Sequence, residues 1–190
     1  MSRQLYIALI GMLLLSCTKQ LNEKEYAQYV SNPENGLRKD QVVGDFELSA
    51  MYEPVEYILS LEQPGDIETR RNELNEYEHF QFRIKLNTGG NILMHNETSE
   101  HNEVTRINHF SFMCHQDFMI ISDADTSKCV GAIYSRNYNL TPTIDLSLAF
   151  NQLEKDENWQ LIYTDQQFNL GRTKFLFKKE YLSDLPEFKK

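Results

Sequence analysis

Strict alternation constrains this chain more than any other feature. Phe80, Phe82, Ile84 and Leu86 are apolar, while Gln81, Arg83 and Lys85 between them are polar. Successive side chains of a strand point to opposite faces, so such a stretch buries one side only as a β-strand laid on a core. The same two-residue period recurs in Phe46, Leu48, Ala50 and Tyr52, in Ile144, Leu146, Leu148 and Phe150, and in Phe175 with Phe177 between lysines. Phe110, Phe112 and Cys114 repeat it and predict a strand over 108–114. With 118–122, 129–135, 159–164, 173–178, 46–52 and 80–86, the pattern predicts about eight strands at short spacing, separated by turn-rich segments such as SDADTSK and EKDEN. The expected fold is mainly β: an antiparallel β-sandwich or open barrel of about eight strands with a few short helices.

The helices are expected at the margins. Residues 20–31 carry Tyr26, Tyr29 and Val30 on one helical side, and NPENG at 32–36 then stops the helix. Val55, Ile58 and Leu59 follow Pro54 at the spacing of one helical face, and an acidic amphipathic piece from Asp66 to about Tyr77 offers Ile67, Leu74 and Tyr77. The tail EYLSDLPEFKK is expected to lie over an end of the sheet.

Residues 1–16, MSRQLYIALIGMLLLS, have one positive charge at Arg3, an apolar run from Leu5 to Leu15 and a small residue at Ser16. That is the arrangement of a secretory signal, and its apolar part is short of the roughly 20 residues that span a bilayer. The polar change at Thr18, Lys19 and Gln20 is abrupt. The run Leu14, Leu15, Ser16, Cys17 resembles the lipobox of bacterial lipoproteins. The resemblance implies cleavage before Cys17, lipid attachment to its thiol and acylation of the new amine. It also implies outer-membrane sorting, since Thr18 stands where an inner-membrane retention signal has Asp. Several acyl chains give stable anchoring where one binds reversibly. NPENGL at 32–37, MYEPVEYI at 51–58 and SRNYNLTP at 135–142 are similar to stretches in uncharacterised lipoproteins of Bacteroidota, a resemblance that carries no activity. The expected organisation is a signal peptide over 1–16, a lipidated tether with a short helix over 17–40, and a single β-rich domain over 41–190.

Charge narrows the partners. The chain has 19 basic and 28 acidic residues; losing Arg3 leaves 18 against 28, a net −10. Such a surface repels phosphate backbones, so nucleic acid is not an expected partner. With Cys17 assigned to lipid, Cys114 and Cys129 form an even pair in an oxidising compartment. They are either a disulfide closing a short loop, with a stabilisation of about 3 kcal/mol in the chain-entropy model, or two separate buried thiols.

Candidate chemistry is sparse. Residues 87–107, NTGGNILMHNETSEHNEVTRI, form the longest polar connection; His95, His101, Glu97, Glu100 and Glu103 are competent metal ligands, but their spacing matches no metal motif, and a solvated loop tip accounts for them. In SDADTSK the oxygens of Asp123, Asp125 and Ser127 alternate as in a calcium loop. Lys128 and Tyr134, however, stand where an EF-hand needs Gly and Glu, and a tight turn is the expectation. Ser111, Ser122 or Cys114 with His109 or His115 resembles no nucleophile elbow, and the pairs Asp66 with Glu68 and Glu76 with Glu78 read as solvated charge. Trp159, Tyr134, Tyr138 and Tyr163 are the aromatic candidates for a binding face. No catalytic constellation, metal site or cofactor motif emerges. The expected function is non-catalytic binding or scaffolding of another envelope component by a protein held to the membrane by its lipid. The alternative is an inhibitor or immunity lipoprotein that captures a basic toxin or cell-wall hydrolase.

Overall fold

The computed structural model describes residues 20–123, 125–136 and 142–189. The alternating segments form strands whose apolar faces share one core. The elements run β1 (Gln20–Leu21), α1 (Glu23–Ser31), β2 (Arg38–Val43), β3 (Phe46–Tyr52), α2 (Val55–Glu62), α3 (Ile67–Leu74), β4 (Tyr77–Leu86), α4 (Glu103–Asn108), β5 (Phe118–Ile121), β6 (Thr126–Ser135), β7 (Thr143–Asn151), β8 (Trp159–Thr164), β9 (Arg172–Phe177), α5 (Lys179–Ser183) and β10 (Glu187–Phe188). Eight of the strands form an antiparallel sheet in the order β2-β3-β4-β7-β6-β5-β8-β9, and this sheet curls into a nearly closed barrel. Across the gap between its two edges, the Gln41 side-chain amide donates to the Lys174 carbonyl at 2.5 Å.

The inward positions are those the alternation names. Phe80, Phe82, Ile84, Ile144, Leu146, Phe150, Phe175 and Phe177 are buried, joined by Trp159 and Tyr163. Their rings meet mostly edge to face, as between Phe80 and Phe177 at 5.2 Å and between Phe82 and Phe118 at 4.9 Å. That geometry suits the opposite charge of ring face and ring edge. Side chains fill the barrel, so ligands have to be met on its outside or at its ends.

One expected strand is a correction. Residues 108–114 are helical: α4 begins at a capping box in which Asn102 accepts from Thr105 N, and the chain continues through a wider helical turn over His109–Met113. Phe110 and Cys114 are buried, four residues apart, while Phe112 between them is 72% exposed. A strand would have placed all three on one side; the helix buries two of them. The eighth barrel strand is instead β2, a polar edge strand that carries no alternation.

The lead-in helix is α1, where the Asn22 side chain accepts from Glu25 N at 3.1 Å and the Glu25 carboxylate accepts from Asn22 N at 3.0 Å. Its Tyr26 and Val30 enter the same core as the strands. At Gly36, φ is +80° and a Cβ would stand 2.2 Å from the Tyr181 ring, so both backbone and space require glycine. The tail does cover an end of the sheet: Leu182 is buried and β10 pairs parallel with β1. The helix expected from Asp66 ends at Leu74; Ile67 and Tyr77 are exposed and Tyr77 opens β4. The expected signal peptide, residues 1–16, and Cys17 lie outside the described residues.

Candidate functional site

The barrel wall carries a cleft of about 520 Å³ where α2 and α3 lean over the outer side of β6 and β7. The strands contribute Gly131, Ala132, Ile133 and Ala149, and the helices contribute Ile58, Leu61 and Leu74. Local sequence explains why it is open. Register slips between Cys129 and Gly131, a bulge that re-aims the strand, and glycine and alanine leave a shallow floor. Ile133 at 71% exposure and Leu61 at 57% are its unfilled apolar lips.

Polar groups of two kinds line this cleft. The Arg70 guanidinium bridges Glu62 at 2.7 Å and Glu73 at 3.0 Å, and His79 Nε2–H donates to the Leu74 carbonyl at 2.9 Å; burial lowers the pKa of that imidazole. Glu53 differs. Its backbone N–H donates to the His79 carbonyl at 2.9 Å, but its carboxyl has no partner among the described residues, and burial alone pushes its pKa up to about 7. Glu53 is thus a half-buried acid without a counter-charge in a largely apolar cleft.

A second cleft, of about 500 Å³, lies at the barrel end where β3 finishes, between Tyr26, Tyr52, Lys155 and Phe188. Beneath it is Glu78, 4% exposed, which accepts from the Tyr52 hydroxyl at 2.8 Å and meets Lys155 Nζ at 3.6 Å. Burial raises the Glu78 carboxyl, and its two partners offset part of that rise. At the cleft wall Arg71 is paired with Glu56 at 2.9 Å. These groups answer one another, which makes this cleft a packed corner with its polar atoms already matched.

The sequence candidates are dispersed. Glu97 accepts from the backbone of Glu103 at 2.9 Å, while His95, edge-on to Phe46, and His101 both line a small cavity away from the two clefts. No group of three or more His, Cys, Asp or Glu side chains among the described residues is placed to hold a metal. In SDADTSK, Ser122 Oγ accepts from Asp125 N at 3.0 Å, while Ser127 turns inward to donate to the Asn151 carbonyl at 3.2 Å, so the oxygens do not converge.

Cys114 and Cys129 are separate buried thiols in this structure, their Sγ atoms donating to the carbonyls of Phe110 and Gly131 at 3.0 Å each. Burial raises the two thiols to about 12 and about 11. His109 Nε2 meets Asp117 at 2.6 Å, a pairing that fixes the helical turn to the residues after it and lies on neither cleft nor the small cavity. Asp66 caps α3 by accepting from Thr69 N at 3.1 Å, and Glu68 meets Arg71 at 2.6 Å.

Of the aromatic candidates, Trp159 and Tyr163 are fully buried, Tyr134 is half-buried beside Phe110, and Tyr138 lies outside the described residues. Sequence reasoning missed the buried Glu78 and the half-buried Glu53. Glu78 had a signal, because it shares the parity of Phe80, Phe82 and Ile84 and therefore points inward. Glu53 had none, since its burial comes from helices that fold back over it. Compared with protein-family models, with curated proteins and with solved structures, the chain shows no match.

Proposed function

We propose that this protein is a lipid-anchored, non-catalytic binding protein of the outer membrane, which holds a segment of another envelope protein in the cleft between α2, α3 and the β6–β7 wall. The single observation that carries the reading is the partnerless Glu53 carboxyl in an apolar cleft whose lips, Leu61 and Ile133, are exposed. The occupant this chemistry fits is a segment that presents an apolar side chain next to a lysine or arginine: the first fills the cleft, the second meets Glu53. The acidic balance of the chain favours the same kind of partner. The narrower reading, a basic toxin or hydrolase held inactive, draws on the same carboxyl and would show as inhibition that fades with salt.

The anchor belongs to the same proposal. Cys17 stands three residues before Gln20, a reach of at most about 10 Å for an extended chain. A lipid there holds the end of the barrel that carries β1 close to the bilayer. Fatty-acid labelling of the wild type and of Cys17→Ser in a bacterial host tests the tether; equal labelling of both removes it. A photo-crosslinker at position 133 in the host, with and without Leu61→Asp and Glu53→Gln, tests the cleft. One defined adduct that both substitutions abolish is expected, and an adduct indifferent to both overturns this assignment.

A further inference from the structure

A different cavity, of about 80 Å³, lies at the opposite end of the barrel from Tyr52, where β3 begins at Phe46. The strand separates the two ends by about 20 Å. Here α4 carries Arg106 inward until only 2% of it is exposed. Its Nη1 donates to the carbonyls of Leu93 at 2.9 Å and His95 at 2.7 Å, its Nη2 donates to the carbonyl of Gln167 at 3.2 Å, and the guanidinium sits 4.6 Å from the centre of the Phe168 ring. Four neighbours therefore fix its orientation. The Nε–H has no partner.

Two further buried atoms on the lining of the same cavity share that condition: Oε1 of Gln167, a residue 8% exposed, and Nδ1 of His101. These are the buried side-chain polar atoms without a hydrogen bond among the described residues, and all three belong to this one cavity. Buried polar groups are nearly always satisfied by protein or ordered water, so three orphans on one lining point to a polar occupant of this void. A rotated Gln167 amide and the Nδ1–H tautomer of His101 turn both into donors, on the same lining as the Arg106 Nε–H.

Charge sets the class of ligand. Arg106 is the one permanently charged residue on a lining that also holds His95 and His101. Glu97 and Asp165 act on it from outside: Glu97 accepts from Glu103 N, and Asp165 accepts from the Tyr163 hydroxyl and from the backbone of Gln167, Phe168 and Leu170. Neither carboxylate takes the Arg106 Nε–H, which stays free for an acceptor, but together they leave no surplus positive charge, so a single carboxylate is tolerated there better than a doubly charged phosphate. We propose that this cavity is a subsite for the carboxylate of a small polar ligand, gripped by the Arg106 Nε–H, the Gln167 amide and His101, with Asn96 and Asn169 at its rim. It stands apart from the Glu53 cleft and does not depend on the lipid anchor.

The test follows the Arg106 Nε–H and Gln167 side-chain NMR signals of the isotope-labelled full chain in detergent during titration with N-acetylalanine, glucuronate, acetate and inorganic phosphate. A saturable shift of both signals by a carboxylate, with phosphate weaker, is the expected result. Whether N-acetylalanine or glucuronate binds more tightly separates a peptide terminus from a sugar acid as the source. Because Arg106 also holds three carbonyls, the informative variant is Gln167→Met, which keeps the volume and removes the amide. It should keep the wild-type melting temperature and weaken the carboxylate by about tenfold, the loss of one charge-assisted hydrogen bond. Signals that no carboxylate moves, phosphate binding as tight as carboxylate, or a folded Gln167→Met protein with unchanged affinity each overturn the proposal.

Discussion

At Glu53 burial favours the protonated acid, and that single preference ties the stability of the fold to pH. The folded carboxyl titrates near 7 and the ordinary one near 4.5, so between these values the folded state binds more protons than the unfolded state. Stability from this group is therefore present at low pH and lost as pH rises through 7, by on the order of 3 kcal/mol at most. Glu53→Gln, which cannot ionise, should flatten that fall when urea unfolding is compared at pH 5 and pH 8, and should be the more stable protein at pH 8. An unchanged slope would place the carboxyl in water. The thiols give a second outcome at this scale. Cys114 and Cys129 titrate far above neutrality and are buried, so a thiolate-directed reagent should label neither in the native protein and both after unfolding under non-oxidising conditions.

Elements differ in how openly their sequences announce them. Strands β3, β4, β7 and β9 alternate because one face of each meets the core and the other meets solvent, and that pattern is readable without any knowledge of the fold. Strand β2 is an edge with little apolar face to bury, so its RKDQVV carries no such mark. The segment 108–114 misleads in the other direction: three apolar residues at alternate positions fit a strand, and the helix signal lay upstream in the Asn102 capping box. Substitutions tell the two readings apart. Phe110→Ala should cost about 3–5 kcal/mol in denaturant unfolding, whereas Phe112→Ala should stay within about 0.5 kcal/mol, because only the first ring is packed. Equal losses would restore the strand. The candidate sites were less legible than the fold, since Glu53 of the wall cleft, and Arg106 and Gln167 of the small cavity, are brought to their places by tertiary packing alone.

Across the whole molecule, one hydrophobic cluster joins Tyr26 and Val30 of the first helix, the barrel interior around Trp159, and Leu182 of the last helix. Among the described residues no element has a core of its own, so they should unfold as one unit. Fluorescence of Trp159, the single tryptophan, and far-ultraviolet circular dichroism should trace coincident urea transitions; separated midpoints would reveal a part that melts independently. The pairing of Leu21 with Phe188, reinforced where Lys189 N donates to the Leu21 carbonyl at 2.8 Å, brings residues far apart in sequence into adjacent rungs. A circular permutant that joins Lys189 to Gln20 through a few flexible residues, and is opened at the exposed Gly44 turn between β2 and β3, needs to cross one strand spacing and run back two residues along the parallel pair, roughly 8 Å in all. The order in which the chain is read from end to end is thus separable from the shape it takes.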